Sequence, residues 1–422
     1  MIALVYFNVS NAVGRGVGSI GSILASEGYA FAFYNTLYHD LGYIRSGLID
    51  HQYSVLMISV MTLGLDDVTA FVNDVRRYSD IPVMIGGIGP TSEPKRVLAA
   101  IPYPDIYVCV GEGEGPISEW LKALGDKDEC RQVRGIGYRD DSGQAVINPT
   151  YPLESLDKLP RFVWEMFPRD VVCSNGASYV SATRGCPYNC TYCANGVYLR
   201  TYGGKGYVRS RPVGQVIEEM EDLKQRFQTE FFYFSDEMAL SDPLYAKQLF
   251  LTIADKLALP YGIMARPEAL TPEMVAVLKD TGCQYLGIGV ECGDEKFRRT
   301  YLNRNMSNDK IREAFQLTKE AGLFRASYNM LGFPVGNDDE ITESTRQLTR
   351  EIRPDFAQFT IFYPFPGTKL YTRCKEQDLI DPERVKETRS YYQESCLRGK
   401  SVRAVADAMD KEFNPNGLTF RR

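Results

Sequence analysis

Three cysteines fall within the segment Arg184-Gly-Cys186-Pro-Tyr-Asn-Cys190-Thr-Tyr-Cys193, at the end of an apolar run that reads as a strand. Thiolates are soft metal ligands, and three of them on one short loop can wrap a corner of a cubane iron–sulfur cluster. Such a set leaves the fourth iron without a protein ligand. An open iron can chelate a small molecule through its amine and carboxylate, which a four-cysteine electron carrier cannot do. A tetrahedral zinc site is the competitor and needs a fourth donor. Histidine is scarce, however: His39 and His51 are the only two, and both are distant in sequence. Cysteines that serve packing alone are the remaining alternative. Cys283, Cys292 and Cys374 show no metal-ligand spacing, and buried free cysteine is common, so no second cluster is expected.

Ten cysteines in 422 residues are too sparse for a disulfide scaffold. The N-terminal Met1-Ile-Ala-Leu-Val-Tyr-Phe lacks a basic flank and stops being apolar at Asn8, so it reads as a buried strand and not as an export signal. A reducing, cytoplasmic setting follows, where clustered thiols point to metal or catalysis. No apolar run reaches the ~18 residues that a spanning helix needs, so no membrane span is expected. The formal charge of −6 gives no basic footprint and disfavours a nucleic-acid binder, while leaving a small anionic substrate or a modified RNA compatible.

The elements around the cluster segment follow a regular pattern. At 422 residues, with 44% apolar and 24% charged residues, the chain suggests two or three globular domains. Up to about residue 145, short apolar runs alternate with amphipathic stretches. Ala3–Phe7, Phe31–Tyr34, Ser54–Val60, Pro82–Ile85 and Ile106–Val110 read as strands, and Val68, Phe71, Val72 and Val75 as one helical stripe. This alternation predicts a doubly wound, Rossmann-like parallel sheet. A segment from about Gly135 to Asp170, with the turn Arg139-Asp-Asp-Ser-Gly143, reads as an inter-domain connection. From Ser178 six further strands follow: Ser178–Thr183, Phe231–Phe234, Tyr261–Met264, Tyr285–Val290, Arg325–Leu331 and Ala357–Phe362. Thr271-Pro272 looks like an N-cap with proline at the first helical position. Six units do not complete an eight-stranded barrel, so a partial (β/α)6 barrel is expected. The domains are read as 1–145, a linker 146–172, a barrel 173–373 and a polar, helical or loosely ordered tail 374–422.

With Tyr192 in the aromatic position before the last cysteine, the segment resembles the radical S-adenosylmethionine superfamily, whose signature spaces its cysteines three and then two residues apart. The resemblance covers roughly Cys173 to Tyr371. It implies that Cys186, Cys190 and Cys193 hold a 4Fe–4S cluster, and that Tyr192, Ser235, Asp236, Glu237, Arg266 and Glu291 line S-adenosylmethionine at successive strand ends. Leu331-Gly-Phe-Pro334 and Tyr363-Pro-Phe-Pro-Gly-Thr368 match the fifth and sixth strand ends. Without the resemblance, Ser235 to Glu237 is an ordinary polar strand end, and Glu291, closing an apolar run, needs its own partner.

The order of the whole chain is similar to the cobalamin-binding radical subfamily. The matching residues are Ile58-Ser59-Val-Met-Thr62, Gly86-Gly87 and Val110-Gly111-Glu112-Gly113-Glu114. The resemblance implies that these loops line cobalamin's nucleotide tail and corrin face. Hydroxyls at Ser59 and Thr62 and close backbone approach at the glycines suit that role. Dinucleotide binding is the rival, but no full G-x-G-x-x-G with an acidic residue ~20 positions on follows the first strand. The D-x-H-x-x-G axial-histidine motif is absent, and Asn8 to Arg15 lacks the proline-rich start typical of the family. A domain that keeps the fold and has lost cobalamin therefore stays open.

The expected function is reductive cleavage of S-adenosylmethionine to a 5′-deoxyadenosyl radical, with methylation of an unactivated carbon. The substrate would be a small molecule or peptide, and electrons would come from an external flavodoxin- or ferredoxin-type donor. A cyclase or rearrangement enzyme of the same family is the alternative. An RNA methylthio-transferring enzyme would need a cysteine-bearing first domain and an RNA-binding tail, which the sequence does not clearly offer. An electron-transfer or corrinoid-carrier protein is the reading from outside enzymology.

Overall fold

Strand β1 (Ile2–Phe7) is buried along its whole length, as a strand covered on both faces must be. In the computed structural model, which describes residues 1–7, 13–50, 52–204 and 207–415, it lies inside a seven-stranded sheet. The other members are β2 (Phe31–Asn35), β3 (Val55–Val60), β4 (Val83–Gly86), β5 (Ile106–Cys109), β6 (Ile136–Arg139) and β7 (Ala145–Ile147), in the order β2-β1-β3-β4-β5-β6-β7. The first five pair in parallel, with Ile2 opposite both Phe31 and Val55. The helix Leu65–Val75 buries Leu65, Val68, Phe71, Val72 and Val75, the expected stripe with one more member, in the same core as Val5, Ile58 and Ile85.

The doubly wound sheet is as expected, with one correction. β6 and β7 form an antiparallel hairpin on its edge, in the stretch read as a connection. The turn signal at Arg139–Gly143 was legible, and Gly143 closes it with φ +82°. The strands flanking it are too short and too weakly alternating to announce themselves.

The described chain divides into two compact units. Met1–Val171 with Arg200–Gly204 form one; Val172–Leu199 and the chain beyond residue 206 form the other. The second contains β8 (Ala177–Val180), the short antiparallel pair β9 (Thr183–Arg184) and β10 (Arg209–Ser210), then β11 (Phe231–Phe234), β12 (Tyr261–Ala265), β13 (Cys283–Glu291), β14 (Phe324–Leu331) and β15 (Phe356–Ile361). Its six-stranded sheet runs β15-β14-β13-β12-β11-β8, entirely parallel, in the sequential order of a (β/α)6 partial barrel. Thr271 caps the helix Pro272–Asp280 by accepting the Met274 N–H, as its spacing predicted.

The described part of the tail, up to residue 415, is structured. Its helix Arg403–Phe413 buries Ala406 and Met409, which with Val402 pack against Leu331, Ala357, Phe359 and Ile361. Asn414 then accepts the Ala357 N–H at 3.0 Å and donates to its carbonyl at 2.8 Å, occupying the free edge of β15. Among the described residues no helix is long and apolar enough to cross a membrane.

Candidate active site

The cysteine loop leaves the carboxyl end of the sheet just after β8 and β9. Backbone bonds shape it: the Cys193 N–H donates to the Cys190 carbonyl at 3.2 Å, and the Gly196 N–H to the Cys193 carbonyl at 3.1 Å. Cys190 is buried, while Cys186 and Cys193 are partly open. Burial raises the Cys186 thiol and pushes Cys193 up to about 12, so neither ionises readily without a metal to take the thiolate. Among the described residues no three His, Cys, Asp or Glu side chains gather as ligands of a metal ion. A cubane spreads its thiolates over separate irons, so its three cysteines need not converge on a single ion.

A polar brace holds the loop's root. Asp236, buried at the end of β11, accepts the Ala182 N–H at 3.0 Å and the Thr183 hydroxyl at 2.6 Å. Tyr245 donates to the Arg211 carbonyl at 2.7 Å, and Arg211 pairs with the buried Glu219. Ser235 and Glu237, on either side of Asp236, are exposed, and Glu237 accepts the Gly185 N–H at 3.2 Å. Of the three neighbouring residues assigned by resemblance to the methionyl group, Ser235 and Glu237 are exposed, the Ser235 hydroxyl donating to the Val180 carbonyl at 3.1 Å, and Asp236 is buried against the loop.

At the end of β13 the register slips between Gly289 and Glu291, and Glu291 sits in the left-handed region at φ +70°. A non-glycine residue there costs of order 1–2 kcal/mol, which points to a functional constraint. Its carboxylate lies 3.4 Å from the Arg304 guanidinium, which also reaches the Tyr192 hydroxyl at 3.4 Å and the Gly289 carbonyl. Arg304 is only 4% exposed. Sequence reasoning missed it because Asn303-Arg-Asn carries no motif; only the charge demand of Glu291 hinted at such a partner.

Arg266, at the end of β12, does not stand open. Its guanidinium stacks 3.7 Å over the Tyr188 ring, donates to Cys190 Sγ at 3.5 Å and pairs with Glu268 at 2.6 Å. The Arg266 Nε, Glu268 Oε2 and Arg304 Nε atoms are buried without hydrogen-bond partners among the described residues. Buried polar atoms of this kind ask for a further group. Three thiols, a cation beside one of them and these orphaned atoms fit a cluster with a chelated polar ligand.

In the first unit, the switch point of the 2-1-3-4-5 strand order lies between β1 and β3, where such sheets bind ligands at their carboxyl ends. Residues 8–12 of the Asn8–Arg15 loop, and His51, lie outside the described residues. Ser59 is half-buried and Thr62 buried beside this edge. Gly87 has φ +110°, and a Cβ there would fall 2.4 Å from the Val60 carbonyl oxygen. Gly86 would meet nothing closer than the Cys109 Cβ at 3.5 Å. The next loop is already engaged: the Gly111 N–H donates to Thr91 Oγ1 at 3.1 Å, the Glu112 N–H to the Tyr202 hydroxyl at 2.6 Å, and Glu114 accepts from Ser19 at 2.6 Å. Gly113 is half-buried at the start of the following helix. Of these glycines Gly86 has the uncrowded Cβ position, while Gly87 packs against the Val60 backbone and Gly111 is buried.

Comparison with known proteins agrees with this layout. The Radical SAM superfamily model matches residues 180–348 and the B12 binding domain model residues 11–121. An uncharacterised methyltransferase of Pyrococcus horikoshii is 26% identical over 302 residues, 71% of this chain and 64% of that protein. The anaerobic magnesium-protoporphyrin IX monomethyl ester cyclase of Rubrivivax gelatinosus is 24% identical, over 69% of this chain and 53% of that protein. The chain therefore spans less than two thirds of the length of either relative. Among solved structures, the radical S-adenosylmethionine methyltransferase TsrM of Kitasatospora setae, with cobalamin and a [4Fe-4S] cluster bound, superposes with a TM-score of 0.72 at 16% identity, covering 89% of this chain and 78% of that one. That likeness is one of fold.

Proposed function

We propose that this chain, which belongs to the cobalamin-binding radical S-adenosylmethionine enzymes, methylates an unactivated carbon of a small-molecule or peptide substrate. When bound, the 4Fe–4S cluster and S-adenosylmethionine would supply a 5′-deoxyadenosyl radical, and cobalamin a methyl group. The single observation that carries the reading is the donor set: three free thiols on a strand-end loop, with the Glu291–Arg304 pair on the same barrel.

The chain's own residues divide the work. Cys186, Cys190 and Cys193 hold the cluster, and Asp236 fixes the root of their loop through Ala182 and Thr183. Ser235 and Glu237 offer an exposed hydroxyl and carboxylate to the methionyl amine. Glu291 turns its carboxylate toward the same ligand, held by Arg304, while Tyr192 fills the wall behind it. Ser59, Thr62, Gly86 and Gly87 border the cobalamin edge, and Gly111, Glu112 and Gly113 shape it through Thr91 and Tyr202. The barrel would have to exclude water from such a radical. Electrons arrive from an external flavodoxin- or ferredoxin-type protein.

The cyclase relative favours a second reading, ring closure with the same cofactors and no methyl transfer. Anaerobic reconstitution tests the common core: about four irons per chain, corrin absorption, and 5′-deoxyadenosine released on reduction. Replacing all three cysteines with alanine should remove iron and sulfide together, and four irons retained would sink the assignment. Methyl-deuterated S-adenosylmethionine separates the two readings, since label in the product means methylation. Deoxyadenosine formed with an unlabelled product means cyclisation.

A further inference from the structure

Arg266 is a cationic side chain whose guanidinium touches Cys190 Sγ, and the family resemblance had aimed it elsewhere, at S-adenosylmethionine. It is 7% exposed. One terminal nitrogen donates to Cys190 Sγ at 3.5 Å and the other binds Glu268 at 2.6 Å. The plane lies 3.7 Å from the centre of the Tyr188 ring, within the cysteine loop itself. A guanidinium suits this position and an ammonium does not. It alone offers a flat face for stacking and a fork that serves two acceptors at once. The cation is therefore fixed against the sulfur from three sides.

We infer that Arg266 and Glu268 act as an opposed pair that sets the reduction potential of the cluster held by Cys186, Cys190 and Cys193. The inference rests on the cluster reading above. Reduction adds one electron, taken from an external one-electron donor, to a centre that already carries the negative charge of its thiolates. No bond is made or broken, and the guanidinium keeps its protons. A fixed cation donating to a cluster thiolate stabilises the more negative, reduced state more than the oxidised one, so the potential rises. Glu268 works the other way. Its carboxylate offsets the cation and carries a second oxygen, buried and unpartnered, in the same low-dielectric surroundings. A radical enzyme of this class needs a cluster that a biological donor can reduce yet that still reduces a sulfonium. Two opposite charges on one strand end give the fold separate handles on that balance.

The test uses the full chain, reconstituted without oxygen, with dithionite as reductant and the cluster followed by electron paramagnetic resonance across a potential titration. Iron and sulfide are counted in each variant. Arg266→Gln should hold the wild-type iron content and shift the midpoint to lower potential. Glu268→Gln keeps an oxygen for the Arg266 hydrogen bond but removes the charge, and should shift the midpoint upward. Opposite signs are the signature, because a purely structural role would not produce them. If Arg266→Gln fails to hold the cluster, Glu268→Gln decides alone: an upward shift supports the pair, and an unchanged or lowered midpoint overturns it. A wild-type midpoint in both variants, with S-adenosylmethionine binding lost in Arg266→Gln, would place the guanidinium on the methionyl carboxylate and overturn the inference while leaving the cluster reading intact. A wild-type protein that holds no cluster would sink both.

Discussion

The Asp236 carboxylate accepts the Thr183 hydroxyl at 2.6 Å, and Thr183 lies three residues before Cys186. The bond ties the end of β11 to the root of the cysteine loop. It also leaves a carboxylate deeply buried with only polar, uncharged donors around it. Burial pushes the Asp236 pKa up to about 6, against the pull of Thr183 and Ala182.

That shift gives a pH dependence of stability. Between about pH 4 and pH 6 the unfolded chain has released this proton while the fold retains it. Stability from this group therefore falls as pH rises through that window and is level above about pH 6, a loss of about 3 kcal/mol in all. Asp236→Asn removes the titration. Urea unfolding of wild type and variant between about pH 5 and pH 7 should show the wild-type advantage shrinking as pH rises, and parallel curves would refute the assignment.

Glu291 and Arg304 should behave as one unit. Glu291→Gln leaves the buried Arg304 cation without its counter-charge, and Arg304→Met leaves Glu291 without its partner; each should cost about 3 kcal/mol. The double variant should cost less than the sum, with a coupling of about 1–3 kcal/mol. All three should hold iron and bind S-adenosylmethionine weakly. Strict additivity in urea unfolding would mean that the two residues are not energetically coupled.

Tyr202→Phe removes the acceptor of the Glu112 N–H, a part-buried bond at 2.6 Å. The loss should be about 1 kcal/mol, since an amide left unpaired retains some access to water. Hydrogen exchange at Glu112 should accelerate while the core strands keep their protection, and corrinoid uptake should weaken if this loop shapes the site. Unchanged exchange at Glu112 would show that the tyrosine does not hold the loop.

Much of this was legible in the chain before any fold was seen. The cysteine spacing, the strand alternation and the Thr271-Pro272 cap are local signals, written in adjacent residues. Arg304, Tyr202 and the bond from Thr183 to Asp236 were not, because each depends on a partner far along the chain: Arg304 meets Tyr192, Tyr202 meets Glu112, and Asp236 meets Thr183. Periodicity reports which face of an element is buried and says nothing of which polar atom will wait there. The hairpin Ile136–Ile147 escaped for a different reason, since three- and four-residue strands carry too few alternations to read.

The two neighbouring glycines at the end of β4 offer the sharpest test of the cobalamin edge, because they fail for different reasons. Gly87 has φ +110°, and a Cβ there would strike the Val60 carbonyl 2.4 Å away on the adjacent strand, so Gly87→Ala must disturb the sheet itself. It should lower the unfolding midpoint whether or not any cofactor binds, and loss of corrin in that variant would say little. Gly86 is the informative one. Its added methyl would meet only the Cys109 Cβ at an ordinary 3.5 Å, at a half-buried position. Gly86→Ala should therefore fold with stability within about 1 kcal/mol of wild type, and a bulkier Gly86→Val should project further toward the strand-end opening. Corrinoid uptake, read by visible absorption after folding with hydroxocobalamin, should fall stepwise from glycine to alanine to valine at position 86. Stable Gly86→Val protein that loads corrin as wild type does would remove this edge from the binding site.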